Sequence, residues 1–314
     1  MVTNETPGAT TRERRRMPGL RSAARWLRHE ADLTRRMIAD NLLVSVLPTV
    51  LFAVAAGTRY GLPAEVRLVG VSQAVALGLL AVYINDCSNQ VHSGTEDAYN
   101  KPYRPIPAGL ATAHGLARRY WLITTVYLLA GWVFGVWQWT LLWAVAVFLY
   151  YRWGSPRHYI WYKPAFNTSG ALFPPASGWA LLAPIDSTAW MWLAFVAVYF
   201  PLALIYEDVR DMEGDRAVGR RTLALVVGPT LVCRWFATLM VLLPFAFYFT
   251  LARASGAGDW KGIVCAAVLG ALSWTCAARA LLRHGHSADR FTYQLFYVTW
   301  GLTFATAPLL LARA

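Results

Sequence analysis

The chain has 314 residues, of which 57% are hydrophobic, 14% aromatic and only 15% charged, with a mean hydropathy of +0.38. Soluble globular domains do not have this composition, and a polytopic membrane protein does. The net charge of +12 is broken up by apolar runs, so it fits an anionic membrane surface and anionic ligands and argues against nucleic acid.

In chain order, residues 1–38 read as a basic tail with nine arginines (Arg12, Arg14, Arg15, Arg16, Arg21, Arg25, Arg28, Arg35, Arg36). The tail has neither the apolar stretch nor the small-residue cleavage site of a signal peptide. Its second half, 20–37, reads either as a basic amphipathic helix on the membrane, with Leu20, Ala24, Leu27 and Leu33 on the apolar side, or as a solvated tail. Residues 39–314 read as one transmembrane domain. A helix needs about 20 apolar residues to cross a bilayer. Such runs are expected at 40–58, 66–84, 117–136, 138–152, 165–184, 187–206, 228–252, 260–281 and 291–311, with Pro174-Pro175 kinking the fifth. The expected fold is therefore all-α, a polytopic membrane bundle of nine transmembrane helices.

Nine spans put the N-terminus and the loops after helices two, four, six and eight on one side. Of the 29 lysines and arginines, 23 fall on that side. Arg59, Arg67, Arg253, Lys261 and Arg313 fall on the other, and Arg234 lies within helix seven. The positive-inside rule makes the richer side cytoplasmic. The excess of arginine over lysine points to a GC-rich bacterial genome, and hence to a plasma membrane. Cys87, Cys233, Cys265 and Cys276 have no disulfide, redox or zinc spacing. His29, His92, His114, His158, His284 and His286 have no metal spacing either.

Eight of the 17 acidic residues fall in two short segments, each after an even-numbered helix. The first is Asn85-Asp86-Cys87-Ser88-Asn89-Gln90, then a loop, then Glu96-Asp97 and Asn100-Lys101-Pro102-Tyr103-Arg104-Pro105-Ile106-Pro107. If helix two extends through Gln90, then Asp86, Asn89 and Gln90 share a face. The second segment, Glu207 to Asp215, spaces Asp208, Asp211 and Asp215 at i, i+3, i+7, one stripe of a helix. Carboxylates at the ends of spanning helices are costly and functional. Oxygen-only ligands select a hard cation, and Mg²⁺ bridges carboxylates to phosphates. Lys101 and Arg104 in one segment, and Arg210, Arg216, Arg220 and Arg221 in the other, suit a diphosphate. Glu213, Arg118, Arg119 and Arg220 read equally well as ordinary surface charge.

The two segments together resemble the UbiA-type superfamily of intramembrane aromatic prenyltransferases and terpene cyclases. Its members show an NDxxDxxxD-type motif followed by NKPxRPIP, here Asn85-Asp86 through Pro107, and a DxxDxxxD motif continuing as GDxxxGxxTL, here Asp208 through Leu223. The resemblance implies nine helices around a central cavity, with an isoprenyl diphosphate held by Mg²⁺ between the motifs. It implies Asp86, Asn89, Asp97, Asp208, Asp211 and Asp215 as metal ligands and catalytic residues. Asn85, Gln90, Asn100, Lys101, Arg104 and Arg221 would contact substrate. Tyr151, Lys163 and Asn167 resemble the family's Tyr, Lys and Asn after helix four, and Arg157 lies in the same basic loop.

Two departures narrow the reading. Asn89, followed by Gln90, stands where a prenyltransferase usually has a second aspartate, and the gap from Asn89 to Asp97 is eight residues rather than four. Both resemble the terpene cyclase subgroup. The expected activity is Mg²⁺-dependent ionisation of an isoprenyl diphosphate, of farnesyl to geranylfarnesyl length, and cyclisation of the cation. The alternative is prenyl transfer to an aromatic or lipid acceptor. Transport is disfavoured, because the acidic groups cluster at one membrane face with no chain of them through the helix centres. Tyr83, Phe166, Phe173, Trp179, Tyr199, Tyr206, Phe296 and Trp300 are candidate cavity aromatics, each of which reads more simply as packing. The expected partners are the diphosphate substrate and membrane lipid, with no obligate protein partner evident.

Overall fold

The computed structural model describes residues 20–153, 156–255 and 260–312, and no strand occurs among them. Residues 1–19 of the basic tail lie outside the described residues. The remainder of the tail is helix α1 (Leu20–Ile38). It is neither a free tail nor wholly a membrane-surface helix: Leu33 and Met37 are buried against the bundle, while Trp26 and Leu27 stand exposed. Both Glu30 oxygens accept from Arg119, at 2.7 Å each, which ties α1 to the start of α4 (Ala113–Val133).

The other long helices are α2 (Leu42–Arg59), α3 (Ala64–Asn100), α5 (Trp137–Trp153), α6 (Tyr159–Ala180) and α7 (Ser187–Leu204). Three short helices follow, α8 (Glu207–Arg210), α9 (Met212–Ala217) and α10 (Leu223–Val227). The chain closes with α11 (Pro229–Phe247), α12 (Trp260–Leu282) and α13 (His286–Leu311). Each expected apolar run coincides with one long helix. Among the described residues, six stretches, in α2, α3, α7–α8, α11, α12 and α13, are long and apolar enough to cross a membrane. By the same measure α4, α5 and α6 are shorter or more polar. Leu68, Val133, Leu282, Val298 and Leu309 are exposed on the outer faces, the arrangement of a chain whose outer solvent is lipid.

Local chemistry sets the breaks. Thr112 caps α4 by accepting from the Gly115 N–H at 3.1 Å, and Asp186 caps α7 by accepting from the Ala189 N–H at 2.8 Å. Gly228 turns the chain at φ 87° before Pro229 starts α11. Pro174 and Pro175 do not interrupt α6. A Cβ on Gly178 would lie 2.0 Å from the Thr49 carbonyl oxygen, so only glycine lets α6 and α2 cross this closely.

Two packed cores result. One, from α2, α6, α7, α11, α12 and α13, centres on Phe52, Trp179, Trp192, Phe200, Phe236 and Phe296. The other, from α1, α3, α4 and α5, centres on Leu33, Ile84, Leu116, Tyr127, Trp143 and Val147. A cavity lined by residues of both acidic segments takes Ala171 and Trp300 from the first and Trp143 from the second, so it lies at the seam.

Candidate active site

The expected loop inside the first acidic segment is absent. α3 runs unbroken to Asn100, so Asp86, Asn89, Glu96, Asp97 and Asn100 belong to one helix. Residues 91–95 read as loop from the sequence, but the helix continues through them, with Val91 packed against the second core. Asp86 and Asp97 are 11 residues apart, close to three turns, and so share a face about 16 Å apart along the axis. Asn89 and Glu96, seven apart, also share a face.

The second segment behaves oppositely. Its expected helical stripe breaks at Asp211, which ends α8 and precedes α9 at φ −97°, ψ 8°. Glu207, Asp211 and Asp215 consequently line the cavity, whereas Asp208 turns into a side pocket beside Pro164, Ile205 and Leu223. Asp208, Asp211 and Asp215 are all buried.

Two bridges join the segments around a cavity of about 280 Å³, and a third ties α6 to the second segment. Asn100 Nδ2 donates to the Asp211 carbonyl and Asn100 Oδ1 accepts from the Gly214 N–H, each at 3.3 Å. Arg220 pairs with Glu96 of α3 at 2.5 Å and with Asp215 of α9 at 2.8 Å. Lys163 of α6 pairs with Asp208 at 2.6 Å and Glu207 at 3.3 Å. Arg104 is buried and donates twice to Asp97, at 3.0 and 3.1 Å. Arg210 pairs with Asp211 and Glu207. Each carboxylate of the rim is thereby charge-compensated, which is why so many sit together. Lys101 makes no ion pair among the described residues, although it lines both this cavity and a neighbouring groove. That groove, about 590 Å³, runs between Leu43, Leu47 and Leu51 of α2 and Val298, Gly301 and Leu302 of α13.

The rim carboxylates beyond the spans differ in acidity. Burial, the largest influence, pushes Asp215 up to about 7 against the pull of Lys163 and Arg220. Burial also raises Asp97, with Glu96 adding repulsion against Arg104 and Lys101. For Asp211 burial is outweighed by Arg210 and Lys101, and its carboxyl lies below the ordinary carboxylate range. Asp40 is lowered likewise, with burial outweighed by Lys101 and Arg104 and by the Tyr103 hydroxyl.

Of the residues singled out from sequence, Asn85, Asn89, Asp97, Lys101, Arg104, Tyr151, Lys163, Asn167, Asp211 and Asp215 line the cavity. The Tyr151 hydroxyl donates to Asn85 Oδ1 at 3.4 Å. Asp86 lies just behind the wall: its Oδ1 accepts from Asn41 at 2.6 Å and Asn85 at 3.0 Å, and its buried Oδ2 has no partner. Gln90 is also buried behind the wall, with neither end of its amide hydrogen-bonded. Asn100 lines the groove. Arg157 is exposed in the Pro156–His158 turn, and Arg221 is exposed and outside the cavity wall, where its neighbour Arg220 takes the place expected of it. Adjacent residues project in different directions, and the local turn chooses between them.

Of the aromatic candidates, Phe166 and Trp300 line the cavity. Trp179, Tyr206 and Phe296 are core residues, and Tyr199 donates to the Leu239 carbonyl. The actual wall adds Trp143, Tyr150, Tyr151, Tyr159 and Tyr162. Phe166 stacks on Tyr150 at 4.0 Å and on Trp143 at 5.4 Å, and meets Tyr151 edge-on at 5.7 Å. Sequence reasoning missed Asp40, Asn41, Glu207, Tyr293 and Tyr297 as site residues. The polar pair Asp40-Asn41 at the entry of an apolar run was the one available signal.

The model of the UbiA prenyltransferase family matches residues 46–302. This chain belongs to the UbiA prenyltransferase family. It is a membrane enzyme of the UbiA type. It is 31% identical over 291 residues to somaliensene A/B synthase of Streptomyces somaliensis, across 91% of this chain and 95% of that protein. It is 30% identical over 271 residues to the diterpene cyclase eriG of Hericium erinaceus, across 84% of each. A solved UbiA-fold structure, that of digeranylgeranylglyceryl phosphate synthase, superposes with a TM-score of 0.59 at 15% identity, covering 92% of this chain and 99% of that one. At that identity the likeness establishes the shared fold alone.

Proposed function

We propose that this protein is a divalent-metal-dependent terpene cyclase that ionises an isoprenyl diphosphate and closes the resulting cation on itself. The observation that carries the reading is the single cavity whose rim is carboxylate, amide and cation from both segments and whose wall is a packed aromatic stack. Asn89-Gln90, the eight-residue spacing to Asp97 and the similarity to a diterpene cyclase favour cyclisation over transfer.

The rim fits a hard cation by donor chemistry, since its ligating atoms are all oxygens and Asp86 Oδ2 is a buried carboxylate oxygen with no partner. No three of its acidic groups converge into a preformed cluster among the described residues. Asp86, Asn89 and Asp97 on one side and Asp211 and Asp215 on the other would hold Mg²⁺, whereas Asp208, paired with Lys163 in the side pocket, would hold that lysine in place. When bound it would neutralise the charge of the departing diphosphate.

The chain's own residues do the rest. Lys101, free of ion pairs among the described residues, can turn to the diphosphate without breaking one, and Arg104, Lys163 and Arg220 are held in place around it. As the allylic C–O bond breaks, the electron pair leaves with the diphosphate. The prenyl chain lies against Ala81, Trp143, Gly170, Ala171 and Trp300, the apolar part of the cavity lining. Each aromatic face contributes about 0.5–2 kcal/mol to a nearby cation, and Phe166, Tyr150 and Trp143 form such a surface. A double bond of the same chain attacks, and the released diphosphate can accept the final proton.

The test is incubation of detergent-purified protein with Mg²⁺ and farnesyl, geranylgeranyl or geranylfarnesyl diphosphate, without acceptor, followed by gas chromatography with mass detection. A cyclic hydrocarbon or terpene alcohol that disappears with EDTA is expected. Intact diphosphate from every donor, with turnover only when an aromatic or lipid acceptor is added, would replace the reading by prenyl transfer.

A further inference from the structure

Two residues of the turn between α1 and α2 reach the site from outside both acidic segments. Asn41 is the N-cap residue of α2, yet its side chain makes no capping hydrogen bond. Asparagine at this position ordinarily accepts from the first free N–H groups of its helix. Here its Nδ2 donates to Asp86 Oδ1 at 2.6 Å instead. The preceding residue, Asp40, accepts from the Tyr103 hydroxyl at 2.6 and 2.8 Å on its two oxygens and from Arg104 Nε at 3.3 Å. Arg104 is thus clamped between Asp40 and Asp97. Asn41 borders both the cavity and the α2–α13 groove, and Asp40 borders the groove.

These contacts have a directional consequence. Without Asn41, Asp86 retains only the 3.0 Å bond from its own neighbour Asn85, and nothing from another helix fixes which oxygen faces which way. With Asn41 in place, Oδ1 is committed and Oδ2 is held apart, buried and unpartnered. A buried carboxylate oxygen left free costs energy that a structural role does not need. On the other arm, Asp40 fixes Arg104 from the side away from Asp97, so the guanidinium presents one orientation to the cavity.

We propose that the Asp40-Asn41 turn is a third component of the site, a pair of positioning residues that orient Asp86 from one side and Arg104 from the other. The proposal rests on the reading of the cavity as a metal-diphosphate site. Neither residue belongs to the two acidic segments.

The variants are Asn41→Leu, which removes the donor at similar size, Asn41→Ser, which keeps a shorter donor, and Asp40→Asn, which keeps an acceptor for Tyr103 but removes the charge facing Arg104. Three readouts are needed: unfolding temperature in EDTA, the Mg²⁺ concentration at which inorganic pyrophosphate half-maximally stabilises the protein, and kcat with KM. Asn41→Leu is expected to unfold within a few degrees of wild type in EDTA. Its Mg²⁺ midpoint should rise about tenfold and its kcat fall about 100-fold, the effect of misplacing a reacting group by about 1 Å. Asn41→Ser should recover part of both. Asp40→Asn should weaken pyrophosphate at saturating Mg²⁺ and raise KM more than it lowers kcat. A wild-type Mg²⁺ midpoint in Asn41→Leu, or losses in all three variants that merely follow a lowered unfolding temperature, would overturn the proposal. If wild type itself shows no Mg²⁺-dependent pyrophosphate stabilisation, the underlying site reading fails and takes this inference with it.

Discussion

Gly214 sits in α9 where a side chain would strike the residue that joins the two acidic segments. A Cβ there would lie 2.4 Å from Asn100 Nδ2 and 2.6 Å from Asn100 Cγ. Ordinary contact is near 3.4 Å, so in Gly214→Ala the Asn100 amide must retreat by about 1 Å, breaking its 3.3 Å bonds to the Asp211 carbonyl and the Gly214 N–H. Two such bonds are worth about 2 kcal/mol, and alanine in place of a helical glycine returns about 1 kcal/mol. The net loss of about 1 kcal/mol lowers the unfolding temperature by only a few degrees. The rate should suffer more, because a 1 Å error in placing α9 against α3 costs about 100-fold. Asn100→Ala removes the bonds without adding bulk and should cost about tenfold, equivalent to 1.4 kcal/mol in the barrier. The double variant relieves the clash, so it should return to the level of Asn100→Ala. Product formation by gas chromatography and thermal unfolding of the four proteins would measure this. A double variant as slow as Gly214→Ala alone would refute the clash with Asn100 as the cause.

Arg220→Ala should reduce turnover severely, because Arg220 bridges Glu96 to Asp215, while Arg221→Ala, at an exposed position outside the cavity, should leave it within a factor of about two; equal losses would contradict the placement. Asp86→Ala and Asp211→Ala should abolish release of diphosphate with the fold retained by circular dichroism, whereas Glu213→Ala, exposed on α9, should be mild. Glu30 is held below the ordinary carboxylate range by the hydrogen bonds from Arg119. With a lowered folded value, its contribution to α1 docking is complete above about pH 4.5 and is lost as pH falls through that lowered value. The hydrogen-exchange protection factors of residues 30–38, taken against the intrinsic rate at each pH, should therefore fall in acid, and Glu30→Gln should show the lowered protection already at neutral pH. Protection factors that are the same at both pH values would disprove this role for the pair.

Among the described residues, the long helices that follow α1 were legible because apolar runs of near-membrane length admit few other structures. The two acidic segments were legible too, since carboxylates are conspicuous in a chain this poor in charge. What sequence could not reveal was phase. Residues 85–100 of α3 are polar and low in helix propensity, and only packing against neighbouring elements carries the helix through them to Asn100. The reverse holds at Asp211, where good helical spacing is broken by a turn that sends Glu207 into the cavity and Asp208 out of it. The choice between Arg220 and Arg221 depends on that same local path. Asp40 and Asn41 act across 45 and more positions of sequence, on Asp86, Tyr103 and Arg104, a pairing that no spacing rule anticipates.

The length of α3 separates two phases of matter within one active site. Thirty-seven residues make a rod of about 55 Å, against a hydrocarbon core of about 30 Å. The candidate span within α3 ends at Ser93, so Glu96, Asp97 and Asn100 lie beyond it, while Ala81, one turn below Asn85, lies within it. On the proposed reaction the diphosphate leaves into water and the cyclised hydrocarbon into lipid. Each product is then diluted by its own solvent, and accumulation of terpene in the bilayer, rather than its affinity for the cavity, would govern back-inhibition.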